Sequence, residues 1–247
     1  LSSWDAQEVG AYEGEVGPMA IDAGRTYEGA NDFYSDSPAR VAQVFAQALG
    51  AAGINATLGE AGEPPAGAAA LATVSSATMG EQLRWMLAHS DNTLADQYCR
   101  FAARAAGAPA TYEGATSTVA STLSAAGVPT EGLFLEDCSG LSSNDRISAN
   151  TLVGVLKASY SGQGTSADTM RLLPWAGLVG TLSKRMTEEP AVGNVQAKTG
   201  ALAEVSSLSG SVITRGGRVL LVSIGHDQVT AGALATRGRL DAFEEGL

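Results

Sequence analysis

The sequence predicts an α+β fold in which a block of helices is followed by an antiparallel sheet and a final helix. Apolar residues recur at helical spacing through much of the first 160 residues, and β-leaning segments occupy the last quarter. Two of those segments are joined by Arg215-Gly216-Gly217, which suits a hairpin because glycine accepts positive φ. Helices packed on one antiparallel sheet give at least two layers.

The length and composition are those of a globular protein with one domain of about this size or two small ones. The chain is 45% hydrophobic, which is enough for a sizeable core. Its 26 acidic residues outnumber its 15 Lys and Arg residues, and the resulting net charge of -11 argues against a nucleic-acid partner. No apolar run approaches the length of about 18 residues that a membrane span needs, and we expect no export signal in this chain.

Capping residues, apolar stripes and terminal glycines predict the helices. The first has Ser37 as its cap and Pro38 as its first residue, and it stops at Gly50 and Gly53. The others are a short helix ending near His89, one that opens at Ser90-Asp91-Asn92 and ends at Gly107, one over about residues 115–126, and one over residues 148–160. Residues 90–92 therefore lie in a tight junction between two helices.

Short apolar runs predict the strands. Residues 68–76 are ambiguous between strand and buried helix but are bounded like a strand, and they follow a Pro/Gly-rich loop at 59–67. Residues 132–135 also favour a strand. In the last quarter the predicted elements are strands at 194–199, 205–213 and 218–224 and a terminal helix over about 229–245.

Histidine and cysteine are scarce, which limits the chemistry available to the chain. His89 and His226 are the two histidines, and no metal-binding spacing occurs, so we expect no metal and no cofactor. There is no G-x-S-x-G motif, and any serine enzyme built on this chain should use a base other than histidine. Cys99 and Cys138 could form one disulfide.

Two tripeptides are candidates for chemistry. Ser90-Asp91-Asn92 places a hydroxyl and a carboxamide two positions apart at a helix start, although these residue types are also the preferred helix caps. Lys198-Thr199-Gly200 ends a strand and offers an ammonium, a hydroxyl and an open backbone to a ligand. Its alternative interpretation is a solvated lysine leading into a turn.

In combination and in this order, the two tripeptides are much more specific. S-D-N and K-T-G are the second and third signatures of β-lactamases and penicillin-binding proteins, the first being S-x-x-K. The segment Asp137-Cys138-Ser139-Gly140-Leu141-Ser142 is similar to the D-G-S-G-L-S stretch of the carboxypeptidase branch, and Gly180-Thr181-Leu182 also has a counterpart there. Over about residues 4–245 the chain resembles the low-molecular-mass class C penicillin-binding proteins, which are D-alanyl-D-alanine carboxypeptidases and endopeptidases.

The resemblance implies a β-lactamase/transpeptidase-like fold, with an antiparallel sheet packed by helices and an all-helical lobe. It also implies peptidoglycan stem peptides or β-lactams as ligands and an extracytoplasmic location in the cell envelope. Ser90 would shuttle protons, Asn92 would bind the substrate's peptide carbonyl, and Lys198 would hold the proton network. Substrate-binding groups would be the Thr199 hydroxyl for the terminal carboxylate, the side-chain-free Gly200, and the backbone N–H of Ala201 as an oxyanion donor.

The chain departs from the family pattern in two ways. Ala201 stands where the commoner K-T-G-T form has a second hydroxyl, and the residues three positions before the three lysines are Gly154, Thr181 and Val195, so no S-x-x-K is present. We therefore expect residues 1–247 to be the C-terminal portion of a penicillin-binding domain, whose missing N-terminal part carries S-x-x-K. The alternatives are a non-catalytic muropeptide-binding or cell-wall interaction protein of the same fold, and an unrelated α+β binding protein.

The resemblance carries two geometric expectations. It places the segment around Cys138 near the helix of Cys99, which predicts a disulfide between them, the alternative being two separately buried thiols. It also predicts that Ser90, Asn92, Lys198 and Thr199 converge on one cleft.

Overall fold

The computed structural model describes residues 1, 4, 10–17, 19–27, 30, 32–63, 65–162, 169–229 and 232–247. They fall into two compact units, a smaller one from Asp5–Met79 and a larger one from Leu1–Trp4 and Gly80–Leu247. Pro64 of the predicted loop and residues 230 and 231 of the predicted terminal helix lie outside the described residues.

The smaller unit contains a 3-10 turn at Asp22–Gly24 and helix α1, Ser37–Ala51. The cap of α1 is Asp36, whose Oδ1 accepts a hydrogen bond from the backbone N–H of Ala39 at 2.8 Å. The helix therefore begins one residue earlier than the sequence predicts, because the carboxylate of Asp36 satisfies a free N–H of the first turn.

The prediction of a strand at residues 68–76 is wrong. The segment is irregular, and Leu71 and Val74 are 99% and 94% exposed. Four of its nine residues are alanines, which bury little apolar area, and a strand needs a neighbouring backbone to complete its hydrogen bonds. Within the described part of the smaller unit, no such strand lies beside it.

Among the described residues, six helices lie wholly or mainly in the larger unit. They are α2 (Met79–His89), α3 (Asn92–Ala105), α4 (Tyr112–Ala125), α5 (Ala149–Tyr160), α6 (Thr169–Leu172) and α7 (Ala233–Glu245). A 3-10 helix at Gly180–Leu182 adds to them. No helix in the described ranges combines the length and the apolar character of a membrane span.

Helix boundaries differ from the predicted ones where capping residues decide them. α4 begins three residues before the predicted start, because the Thr111 hydroxyl caps it by accepting from the Gly114 N–H at 3.1 Å. α7 begins after Gly232, whose φ of 84° interrupts the predicted helix. α6 and the 3-10 helix escaped prediction because four and three residues are too few to show a helical period.

In the part of the chain that the structure describes, the sheet has three antiparallel strands in the order β1-β2-β3: β1 (Val195–Leu202), β2 (Val205–Ile213) and β3 (Val219–His226). β1 and β3 extend beyond the predicted ends. The predicted strand at 132–135 is wrong, because only an isolated bridge between Phe134 and Arg146 forms there. Phe134 is more than half exposed, so the segment has no buried face that would hold a longer pairing.

Helices cover both faces of the sheet. Val222 and Ile224 of β3 pack into the main core on the α7 side, whereas Leu221 packs with Leu156 of α5. Because successive residues of a strand point to opposite faces, α5 and α7 lie on opposite sides of the sheet. The main core is formed by Ala176, Leu182, Met186, Ala191, Val195, Ala197, Leu208, Val212 and Leu240. The larger unit is thus the α+β arrangement that the sequence predicts, with three layers.

Candidate active site

The Ser90-Asp91-Asn92 tripeptide forms the connection between α2 and α3. Asp91 is the cap of α3, and its Oδ1 accepts a hydrogen bond from the Leu94 N–H at 2.9 Å. The N–H of Asp91 donates to the Met86 carbonyl at 3.0 Å, which closes the end of α2. Ser90 has a φ of 55°, a left-handed conformation that is uncommon for a residue with a Cβ. The tight connection imposes this conformation on Ser90.

Lys198 meets Ser90 across 108 positions of sequence. The Nζ of Lys198 donates a hydrogen bond to the Ser90 Oγ at 2.8 Å and another to the Thr199 carbonyl at 2.6 Å. Burial lowers the pKa of Lys198 from 10.5 to about 8, because the charged ammonium is poorly hydrated there. An amine with such a pKa can give up or regain a proton near neutral pH, so the contact is short enough for Lys198 to exchange a proton with the Ser90 hydroxyl.

The rest of β1 continues this site. Thr199 and Ala201 lie two positions apart in the strand and so share one face. A Cβ on Gly200 would lie 2.3 Å from the Ser207 Oγ of the neighbouring strand, so a larger residue at this position would require the Ser207 hydroxyl to rotate away. Ala201 is exposed and contributes a methyl group where the commoner motif has a hydroxyl.

Thr181 joins the site although it was not among the predicted site residues. Thr199 Oγ1 donates a hydrogen bond to Thr181 Oγ1 at 3.1 Å. Gly180 before it has a φ of 57°, and a Cβ there would lie 2.1 Å from the Ala88 carbonyl of α2. The signal that could have identified Thr181 is the Gly180-Thr181-Leu182 match to the carboxypeptidase branch, which the sequence shows but assigns no role.

The predicted site residues are therefore partly connected by direct contacts. Ser90, Lys198 and Thr199 form one continuous hydrogen-bonded set, and Thr181 extends it. Asn92 is the first residue of α3, two positions after Ser90, and is half-buried. Gly200 and Ala201 follow on the same strand. In the described part of the chain, no group of three or more His, Cys, Asp or Glu side chains is arranged to hold a metal ion.

A disulfide fastens the 136–142 loop to the helix that begins at this site. Cys99 of α3 is bonded to Cys138, with 6.3 Å between their Cα atoms, which confirms the predicted bridge. The Cys138 N–H also donates to the Asp96 Oδ1 of α3 at 2.9 Å. Within the loop, the buried Asp137 carboxylate accepts from the N–H groups of Gly140 and Ser142 at 2.6 and 2.7 Å. These bonds fix the loop on α3.

Comparison with known proteins finds a family and several relatives that match most of this chain. The family model described as D-Ala-D-Ala carboxypeptidase 3 (S13) matches residues 30–246. Carboxypeptidase DacB of Mycolicibacterium smegmatis is 37% identical over 231 residues, which are 90% of this chain and 49% of that protein. A carboxypeptidase of Mycobacterium tuberculosis is 37% identical over 227 residues, which cover 88% of this chain and 48% of the relative.

A solved structure shows the same fold. Penicillin-binding protein 4 of Haemophilus influenzae, solved in complex with a β-lactam, aligns with a TM-score of 0.71 and 27% identity. The alignment covers 87% of this chain and 51% of that chain. This chain spans about half the length of the curated relatives it matches. It belongs to the D-Ala-D-Ala carboxypeptidase 3 (S13) family of serine peptidases, the low-molecular-mass class C penicillin-binding proteins.

Proposed function

We propose that this chain is the C-terminal portion, residues 1–247, of a penicillin-binding domain that acts as a D-Ala-D-Ala carboxypeptidase or endopeptidase. Its substrates are peptidoglycan stem peptides ending in D-Ala-D-Ala, β-lactams inhibit it, and it works in the cell envelope. The observation that carries the proposal is the 2.8 Å hydrogen bond between the Lys198 ammonium and the Ser90 hydroxyl.

The reaction is acyl transfer from the substrate to a serine and then to water or an amine. When the peptide bond breaks, the departing amine must gain a proton. Ser90 relays that proton through its hydroxyl, and Lys198 holds the relay in place by donating to Ser90. The pKa of about 8 for Lys198 matches this role, because proton exchange is most effective when the pKa of the group is close to the working pH.

Recognition of the substrate uses the neighbouring groups. The Asn92 carboxamide binds the peptide carbonyl of the substrate, and the Thr199 hydroxyl binds its terminal carboxylate. The backbone N–H of Ala201 is one oxyanion donor, and the missing side chain of Gly200 lets the substrate lie along β1.

The nucleophile is the part that these residues lack. None of the three lysines has a serine three positions before it. An N-terminal segment of the same domain, carrying S-x-x-K, supplies the serine and its activating lysine. The nearest match in this chain, Thr181-Leu182-Ser183-Lys184, has a threonine that is already hydrogen-bonded to Thr199.

A fluorescent penicillin tests the proposal. We expect the purified chain to give no stoichiometric covalent adduct on denaturing gels or by intact mass. Mixing it with the part of the M. smegmatis relative that this chain does not cover should give an adduct on a serine of that segment, and we expect this serine to lie in an S-x-x-K motif. The matched control is the same segment with that serine changed to alanine, which should abolish labelling. An adduct on Thr181 or on any serine of the 247 residues would contradict the assignment of the nucleophile.

The second candidate is a non-catalytic muropeptide-binding protein of the same fold. The missing S-x-x-K favours it, since a carboxylate site and oxyanion donors can bind a ligand without a nucleophile. The labelling experiment separates the two. A chain that binds a D-Ala-D-Ala peptide reversibly, but whose complex with the S-x-x-K segment is never acylated, is the binding protein.

A further inference from the structure

Two hydroxyl groups lie side by side, one on β1 and the other on the 3-10 helix Gly180–Leu182. Thr199 Oγ1 donates to Thr181 Oγ1 at 3.1 Å, and Thr181 is exposed to solvent. The two residues are separated by 18 positions, so the pairing depends on how the chain folds and not on local spacing. A ligand that approaches β1 therefore meets two hydroxyl donors at once.

The position of Thr181 is fixed on both sides. Gly180 lies so close to the end of α2 that any side chain would collide with the Ala88 carbonyl. Leu182 is fully buried in the main core, and its carbonyl accepts a hydrogen bond from the Gly177 N–H at 2.9 Å. Since both neighbours are held, the Thr181 hydroxyl is presented to Thr199 with little freedom, which lowers the entropy lost when a ligand binds.

The face of β1 that carries Thr199 lacks the second hydroxyl that the commoner K-T-G-T motif provides. Ala201 shares this face with Thr199 and carries a methyl group. A carboxylate has two oxygens, each able to accept more than one hydrogen bond, and a single threonine donates only one. The second donor must come from elsewhere.

We propose that the Thr181 hydroxyl is that second donor, and that Thr181 and Thr199 together bind the terminal carboxylate of the substrate. The inference rests on the proposed function and names the residue that replaces the missing hydroxyl of Ala201. When the carboxylate binds, the hydrogen bond between the two threonines breaks and each hydroxyl donates to the ligand. The nearby Lys198 ammonium adds a favourable charge.

The experiment measures affinity for an acid and for its neutral analogue. The probes are diacetyl-L-Lys-D-Ala-D-Ala and its C-terminal amide, titrated into the ¹⁵N-labelled chain and followed by NMR. Thr181→Val removes the hydroxyl and keeps the shape, and it should weaken binding of the acid about tenfold while leaving that of the amide unchanged. Thr181→Ser should retain the affinity, and Ser183→Ala, an exposed change on the same turn, should have no effect.

A rescue variant adds a stricter test. In Thr181→Val combined with Ala201→Thr, the second hydroxyl returns on β1, so the preference for the acid should be largely restored. A merely structural role for Thr181 would lower the affinity for both probes, and Ala201→Thr would not restore it. The ¹H–¹⁵N spectrum of each variant shows whether the fold is kept.

The outcomes separate this inference from the proposed function. If the wild-type chain prefers the acid and Thr181→Val keeps that preference, Thr181 is not the donor, and the proposed function stands. If the wild-type chain binds acid and amide equally, there is no carboxylate subsite, so the inference is wrong and the carboxylate-binding role proposed for Thr199 is wrong with it. If it binds neither probe, the proposed function fails and the inference fails with it.

Discussion

Replacing Lys198 by methionine should change how the free energy of unfolding depends on pH. Lys198 lies against Ser90 in a partly buried position, and burial lowers its pKa from 10.5 to about 8. Methionine has a similar length and no charge, so it removes the titration and keeps most of the packing. The comparison isolates the cost of burying one ammonium.

Proton linkage determines whether the free energy of unfolding rises or falls with pH. Between pH 8 and 10.5 the unfolded chain still binds the proton of Lys198 and the folded chain has lost it, so the stability of the wild-type protein rises with pH in this window. A fall in pKa from 10.5 to about 8 corresponds to about 3 kcal/mol. The stability of the wild-type chain relative to Lys198→Met should therefore rise by about this amount from pH 7 to pH 10.5.

Urea unfolding at a series of pH values measures the difference. Other groups titrate in the same range, but they are common to both proteins and cancel in the comparison. Lys157→Met is the matched control, because it makes the same replacement at an exposed position on α5. The reasoning is refuted if Lys198→Met and Lys157→Met give the same pH dependence, which would mean that the Lys198 ammonium is as well solvated as an exposed one.

Two further predictions concern stability. Cys99→Ala combined with Cys138→Ala should lower the free energy of unfolding by about 4 kcal/mol, because the bridge closes a loop of 39 positions, and an unchanged urea midpoint would contradict this. Burial raises the pKa of Glu244 to about 7, and neither of its carboxyl oxygens has a hydrogen-bond partner among the described residues. The contribution of this carboxyl group to the free energy of unfolding is therefore complete below pH 4.5 and is lost as the pH rises through 7. Glu244→Gln should remove this loss, about 3 kcal/mol, whereas Glu245→Gln on the exposed side of α7 should not.

Helix caps and apolar spacing predicted most of the fold, because these signals depend only on residues that are close together in the sequence. The cap at Ser148 marks the start of α5, where its side chain accepts from the Thr151 N–H at 3.0 Å. The failures come from segments whose structure depends on a partner. Residues 68–76 and 132–135 have strand-like composition, but a strand forms only where another backbone lies beside it, and composition does not report that.

The same distinction applies to the site. The two tripeptides were visible in the sequence because they are contiguous, whereas Thr181 was not, since its importance arises from one contact with Thr199 across 18 positions. The left-handed conformation of Ser90 was equally hidden. Serine has no preference for that conformation, and only the tight connection between α2 and α3 imposes it.

Ser90-Asp91-Asn92 both caps α3 and contacts Lys198, although the sequence presents a helix cap and a chemical role as alternatives. Asp91 uses its carboxylate to cap α3, and this fixes the backbone on either side of it. Ser90 then turns its hydroxyl to Lys198, at a φ of 55° that the fixed connection holds. The start of α3 therefore holds the Ser90 hydroxyl against Lys198, since the residue that caps the helix differs from the one that contacts the lysine. The preference of these residue types for helix caps is thus part of how the site is built, and it does not argue against a site at this position.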